Sequence, residues 1–176
     1  MKEEANEPFK FVEMALRICV VPLTVASILV MATNKQESDT YGKVEYNNLT
    51  GFKYLVCISA ISAGYALAST LSSFLRFFCK EWVLFLLDQV VAYLMVTSGS
   101  AVAEVVYLAE EGDREASWSE VCSYYGKFCY KTKVSLALHF MALVGFIALS
   151  LISAYRLFSK FDAPAVASTE VGEEGK

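Results

Sequence analysis

Apolar residues in this chain come in four long blocks, at roughly residues 12–32, 54–78, 83–108 and 134–158, separated by polar stretches. An α-helix needs about 20 mostly apolar residues to cross the hydrocarbon of a bilayer. The pattern therefore predicts an all-α membrane protein, a four-transmembrane-helix bundle. Residues 1–11 read as a cytoplasmic tail, 12–158 as the transmembrane domain and 159–176 as a disordered cytoplasmic tail. The 33–53 segment between the first two blocks reads as a polar loop. The hinge Cys79-Lys80-Glu81 is so short that blocks two and three should form an antiparallel hairpin.

The third block is the least ordinary. It carries Asp88 and Gln89 near one end, Glu104 near the other and Thr97-Ser98-Gly99-Ser100-Ala101 between them. A carboxylate inside a spanning helix costs about 2.5–3.5 kcal/mol at its centre, so something must offset Asp88. At roughly 100° per residue, Ala92, Gly99 and Ala103 fall within about 60° of Asp88. The acid thus shares a face with the helix's smallest residues, which calls for a neighbouring helix there rather than lipid. In the second block Ala60, Gly64, Ala68 and Ser72 recur every four residues, a ladder that lets helix backbones approach closely in lipid.

Arg17 is the basic residue of the first block, and it lies at a depth similar to that of Asp88. Three readings stand open for it: an intramembrane pair with Asp88, a local pair with Glu13 one turn earlier, or a snorkelling side chain. Pro22 in the same block is expected to bend the helix. His139 should hydrogen-bond to a neighbouring helix, and Glu104 should reach water at the membrane edge. Tyr54, Trp82, Trp118 and Tyr155 fit interfacial anchors.

Composition and charge narrow the picture further. The hydrophobic fraction is 56% and the net charge −4, which argues for membrane lipid and against nucleic acid as a partner. The acidic start of the chain does not resemble a cleavable signal peptide. Five cysteines and one histidine are too few and too scattered for a metal site of recognised spacing, and the lone His139 argues against a bis-histidine haem, so no cofactor is expected. Cys122 and Cys129 bracket a short loop, and a structural disulfide there is preferred to redox catalysis, which would call for a CxxC motif. Cys19, Cys57 and Cys79 read as buried or cytoplasmic thiols, Cys79 with a position suited to palmitoylation. Asn48-Leu49-Thr50 is an N-glycosylation sequon.

Lys and Arg divide eight to the terminal side against seven to the loop side, so the positive-inside rule barely orients the chain. The sequon and the cysteine pair make chemical sense only outside the cytoplasm, which places both termini inside.

Several stretches together resemble the Casparian strip membrane protein-like family of plant four-span proteins, related to the MARVEL group. They are Met31-Ala32-Thr33-Asn34-Lys35-Gln36, then Asp88-Gln89-Val90-Val91-Ala92-Tyr93-Leu94 with residues 98–103, and Trp118-Ser119-Glu120-Val121-Cys122 with Tyr125-Gly126-Lys127-Phe128-Cys129. The resemblance implies plasma-membrane residence, cytoplasmic termini, and homodimers or heterodimers with related members. Its hallmark arginine and aspartate match Arg17 and Asp88. The first loop, QESDTYGKVEYNNLTGF, lacks the stretch distinctive of the founding members, so the chain resembles the broader branch. The expected function is a membrane-domain scaffold that oligomerises laterally, linked to local cell-wall modification, with no enzymatic reaction. The alternatives are a transporter, channel or regulatory subunit whose charges line a solute path, and an oxidoreductase using the outer cysteines.

Overall fold

In the computed structural model the described residues are 7–38, 42–74, 81–112 and 120–161. Cys79, Trp118 and the outer parts of both expected tails lie outside them. Four long helices, α1 (Glu7–Ala32), α2 (Thr50–Phe74), α3 (Glu81–Glu111) and α5 (Gly126–Phe161), are each long and apolar enough to span a membrane. They extend past the expected edges, most of all α5, which starts eight residues before position 134. The short α4 (Val121–Tyr124) precedes it. α1 runs unbroken through Pro22.

α1 packs on α2 and α5, and α3 packs on α2 and α5, so α1 faces α3 across one diagonal of the bundle and α2 faces α5 across the other. The inner positions of every helix alternate in steps of three and four. On α1 they are Glu13, Arg17, Val20, Thr24, Ser27 and Met31; on α5 they include Thr132, Ser135, His139, Ala142, Phe146, Leu149 and Ser153. That 3.5-residue repeat is the signature of left-handed packing at shallow crossing angles. The outer surface is apolar: Ile18, Leu29, Ile61, Leu71, Val90, Val144 and Leu151 are all exposed. So continuous an apolar exterior, with serines and charges inside, suits a bilayer as solvent and not water.

Close approach between helices depends on a glycine outside the four-residue ladder. A Cβ at Gly145 of α5 would lie 2.5 Å from Val20 Cγ2 on α1, a β-branched side chain with little freedom to move. The ladder itself points outward. Ala60, Gly64 and Ala68 are exposed, Ser72 is half-buried, and nothing lies within 4 Å of a Cβ built on Gly64. The bundle instead uses the opposite face of α2, with Ser59, Ser62, Ala63, Ala66 and Ser69 buried.

The loop after α1 is a small antiparallel hairpin, not a polar coil: β1 (Lys35–Ser38) pairs with β2 (Gly42–Glu45), and a 3-10 turn (Tyr46–Asn48) leads into α2. Its register sets Lys35 opposite Glu45 and Glu37 opposite Lys43, so opposite charges face each other. Lys43 and Glu45 also hydrogen-bond at 2.5 Å, which raises the lysine's pKa and lowers the glutamate's. The hairpin grips the start of α5 from three sides. Gln36 Oε1 accepts from the Phe128 backbone N–H at 2.9 Å, an orphan donor of the first helical turn; Asn34 Nδ2 donates to Phe128 O and Thr132 Oγ1, each at 2.9 Å; and Tyr125 donates its hydroxyl to Gly42 O. A second apolar cluster of Met31, Phe52, Leu55, Val102, Tyr125 and Phe128 fills this end. Cys122 and Cys129 are disulfide-bonded and tie α4 to α5. α3 ends at Glu111, and Gly112 just past it, with a φ of +68°, donates its N–H to Leu108 O.

Gly145→Ala is expected to destabilise the bundle by about 1–3 kcal/mol in detergent-induced unfolding, because Val20 cannot yield. Gly64→Ala should leave stability unchanged or raise it by up to about 1 kcal/mol.

Candidate functional site: a charge network across four helices

At the end of the bundle that carries the termini, the inner stripes of all four long helices bring charged residues to one point. Arg17 is 2% exposed and Asp88 fully buried. Arg17 Nη2 donates to Asp88 Oδ2 at 2.9 Å and Nη1 to Oδ1 at 3.2 Å, a two-pronged pair spanning the α1–α3 diagonal. Asp88 also accepts the Tyr65 hydroxyl on Oδ1 at 2.6 Å and the Ser153 hydroxyl on Oδ2 at 3.0 Å. Each oxygen therefore receives two donors, as suits a carboxylate anion. Ser69 accepts from Arg17 Nη1 at 2.7 Å and donates its own hydroxyl to Ala66 O at 3.0 Å. The guanidinium also lies 5.9 Å from the Tyr65 ring centroid.

Glu13 extends the network. One of its oxygens accepts from Arg17 Nη2 at 3.2 Å, and the other pairs with Arg156 at the end of α5. Two carboxylates and two guanidiniums thus meet with no net formal charge, each charge paired with another within the protein, while the buried Arg17 Nε makes no hydrogen bond among the described residues. That balance is what a low-dielectric setting demands, since a lone charge there would be far costlier than a pair. The two pairings open to Arg17 from the sequence coexist in this geometry. Arg156, Tyr65, Ser69 and Ser153 were not singled out from the sequence. Their signal is the three-four spacing: Ser153 continues the α5 inner stripe and Arg156 follows it by three.

A second polar layer crosses the other diagonal. His139 is fully buried; its Nε2 lies 2.9 Å from Met95 O on α3, so Nε2–H donates there and Nδ1 accepts from the Ser59 hydroxyl of α2 at 3.0 Å. Nearby, Ser27 and Ser135 exchange hydroxyl-to-carbonyl hydrogen bonds at 2.9 and 2.8 Å, linking α1 to α5. Gln89 Oε1 accepts from Ser150 at 2.5 Å.

The remaining candidates take clear places. Ala92 and Gly99 are buried on the Asp88 face and Ala103 is half-buried; a Cβ on Gly99 would meet His139 Cδ2 at 3.2 Å. Asn48 is exposed, in the 3-10 turn just before α2, and Glu104 is exposed near the loop end of α3. Tyr54, Trp82 and Tyr155 are exposed. Cys19 and Cys57 are free, exposed thiols on the outer face of the helices, so the buried one of the two expected settings does not hold for them. Their helical positions fall between the inner stripes. Among the described residues no cluster of three metal-ligating side chains occurs.

Four apolar-clad helices closed around paired charges define a polytopic membrane protein. The Casparian strip membrane protein domain matches residues 6–145. The chain belongs to that family, and it is similar along almost its whole length to CASP-like proteins of plants. It is 55% identical over 170 residues to CASP-like protein 2D1 of Oryza sativa subsp. indica, covering 96% of this chain and 85% of the relative. To CASP-like protein 2D1 of Populus trichocarpa it is 52% identical over 94% of this chain and 98% of the relative, and to that of Arabidopsis thaliana 46% over 94% and 86%. No solved structure matches.

Arg17→Met is expected to destabilise the protein by about 3–5 kcal/mol, because it strands Asp88 and leaves the network net negative. Arg17→Met combined with Asp88→Asn should recover a large part of that loss, since the Glu13–Arg156 pair remains balanced. Unfolding of the four proteins of the double-mutant cycle in mixed micelles checks this.

Proposed function

We propose that this protein is a plasma-membrane scaffold that associates laterally with copies of itself and with related members of its family. Its termini lie in the cytoplasm and its hairpin end outside, the side on which Asn48 could be glycosylated and the Cys122–Cys129 bond sustained. The observation that carries the reading is the outward ladder of α2. Cys57, Ala60, Gly64 and Ala68 leave a shallow strip between the exposed Ile61 and Leu71. The bundle does not use that strip internally, and in lipid it is the kind of surface on which a second helix gains close contact. The rest of the design supports a rigid body: the diagonals hold charge and hydroxyl pairs, and those charges are answered by one another.

A solute path would need polar groups left facing a continuous opening. Arg17, Asp88 and Glu13 are partnered with each other instead, which favours the scaffold over transport. The Casparian strip membrane protein domain of this chain, and its likeness to CASP-like proteins, support reading it with that family.

Cys57 supplies a built-in reporter, since a symmetric pair joined through the ladder brings two copies of it together. Mild oxidation in plant plasma membranes should yield a Cys57-linked dimer. Gly64→Leu should reduce that dimer about tenfold, a loss of about 1.4 kcal/mol of association, without altering monomer stability. In living cells the tagged protein should recover slowly after photobleaching, and its Gly64→Leu form quickly. Equal recovery and equal cross-linking in the two proteins would refute lateral assembly through this face.

A further inference from the structure

Beside the Cys122–Cys129 bond, at the loop end of the bundle, lies a cavity of about 150 Å³, partly open to the outside. Its walls come from separate pieces of the chain: Val44 of β2, Phe52 of α2, Val105, Val106 and Ala109 of α3, and Phe128 of α5 are the main ones. Those pieces are held where they are. The disulfide fixes α4 to α5, Gln36 and Asn34 hold the Phe128 backbone, and the Phe52 and Phe128 rings sit 5.8 Å apart.

Its lining offers no polar surface. The one hydroxyl residue in the wall, Thr132, is spent: it donates to Phe128 O at 3.0 Å and accepts from Asn34 Nδ2. Water gains nothing there, and a cavity of roughly 150 Å³ lined by aliphatic and aromatic side chains stays dry and takes up a benzene-sized molecule. A hydroxyl or charge carried inside would find no partner. The level of the cavity also matters. α3 has 31 residues, about 46 Å at 1.5 Å each, against about 30 Å of hydrocarbon. Exposed Glu104 precedes the α3 wall, and exposed Lys131 and Lys133 flank the α5 wall. The cavity therefore sits near the level at which the bundle leaves the hydrocarbon.

We infer that this cavity is a binding site for a compact apolar body of about one ring, or the end of a hydrocarbon chain, with any polar portion left outside. The test uses the full chain in lipid nanodiscs and a phenyl diazirine, 3-trifluoromethyl-3-phenyldiazirine, as photoreactive probe, with labelled residues mapped by mass spectrometry. Labelling at Phe128 and Val106 should saturate with probe concentration and fall about tenfold with excess toluene, whereas labelling at lipid-facing Val144 and Leu151 should rise linearly and ignore toluene. Ala109→Leu, which fills the cavity, should remove the saturable component alone. Toluene competition on the unsubstituted protein stands by itself if that variant does not fold. Repeating the experiment after transfer to amphipol separates the sources. Saturable labelling in both settings means a free site for a small molecule; saturable labelling only after lipid removal means that a lipid chain occupies the site in the membrane. Linear, toluene-insensitive labelling of Phe128 and Val106 in both settings would overturn the inference.

Discussion

Arg17 and Asp88 meet across the diagonal of the bundle, and the bilayer leaves them little choice. Either charge facing hydrocarbon alone would cost about 2.5–3.5 kcal/mol, a large share of the stability of a small domain, so each is answered from within. The answer fixes more than two side chains. A two-pronged guanidinium–carboxylate contact sets the rotation of α1 and α3 together, and Tyr65, Ser69 and Ser153 draw α2 and α5 to the same point. Glu13 and Arg156 then complete the charge balance. Once this layer is in place, the heptad-like stripes of all four helices are in register, and the serine and histidine contacts of the next layers follow.

The opposite end is held by different physics. There the chain emerges from hydrocarbon, and hairpin, disulfide and apolar cluster replace buried charge. Asn34 and Gln36 grip the first turn of α5, so the loop after α1 becomes part of the bundle and not merely a connection. The two ends divide the work: the charged layer sets the helix arrangement, and the cap shapes the surface presented beyond the membrane. Between them the outward face of α2 stays smooth, available for lateral contact.

Much of this was legible in the residues. The four spans follow from apolar length, and Asp88 announced a protein-facing surface by sharing it with Ala92 and Gly99. Other features were masked by the inversion of solvent. In lipid the inner stripe is written in serine, threonine and charge, so Ser59, Ser62 and Ser69 are the packing face of α2. The more conspicuous Ala60–Gly64–Ala68 series turns outward. Gly145 was silent because its meaning depends on Val20, more than a hundred positions away. The hairpin was hidden because its strands, Lys-Gln-Glu-Ser and Gly-Lys-Val-Glu, lack the alternation of apolar residues that marks a half-buried strand; cross-strand charge and the contacts to α5 hold it instead. Arg156 lay at a helix end, where a basic residue is ordinarily read as an interfacial anchor.

The central claim is that Asp88 is a carboxylate anion held inside the membrane by Arg17. The most direct measurement is the infrared difference spectrum between the protein and its Asp88→Asn variant, with aspartate carboxyl carbons isotopically labelled, in lipid at neutral pH. The account predicts that the substitution removes the paired stretching bands of an ionised carboxylate. Loss of a single carbonyl band of a protonated acid would contradict it, because a neutral Asp88 would not require Arg17 as its partner.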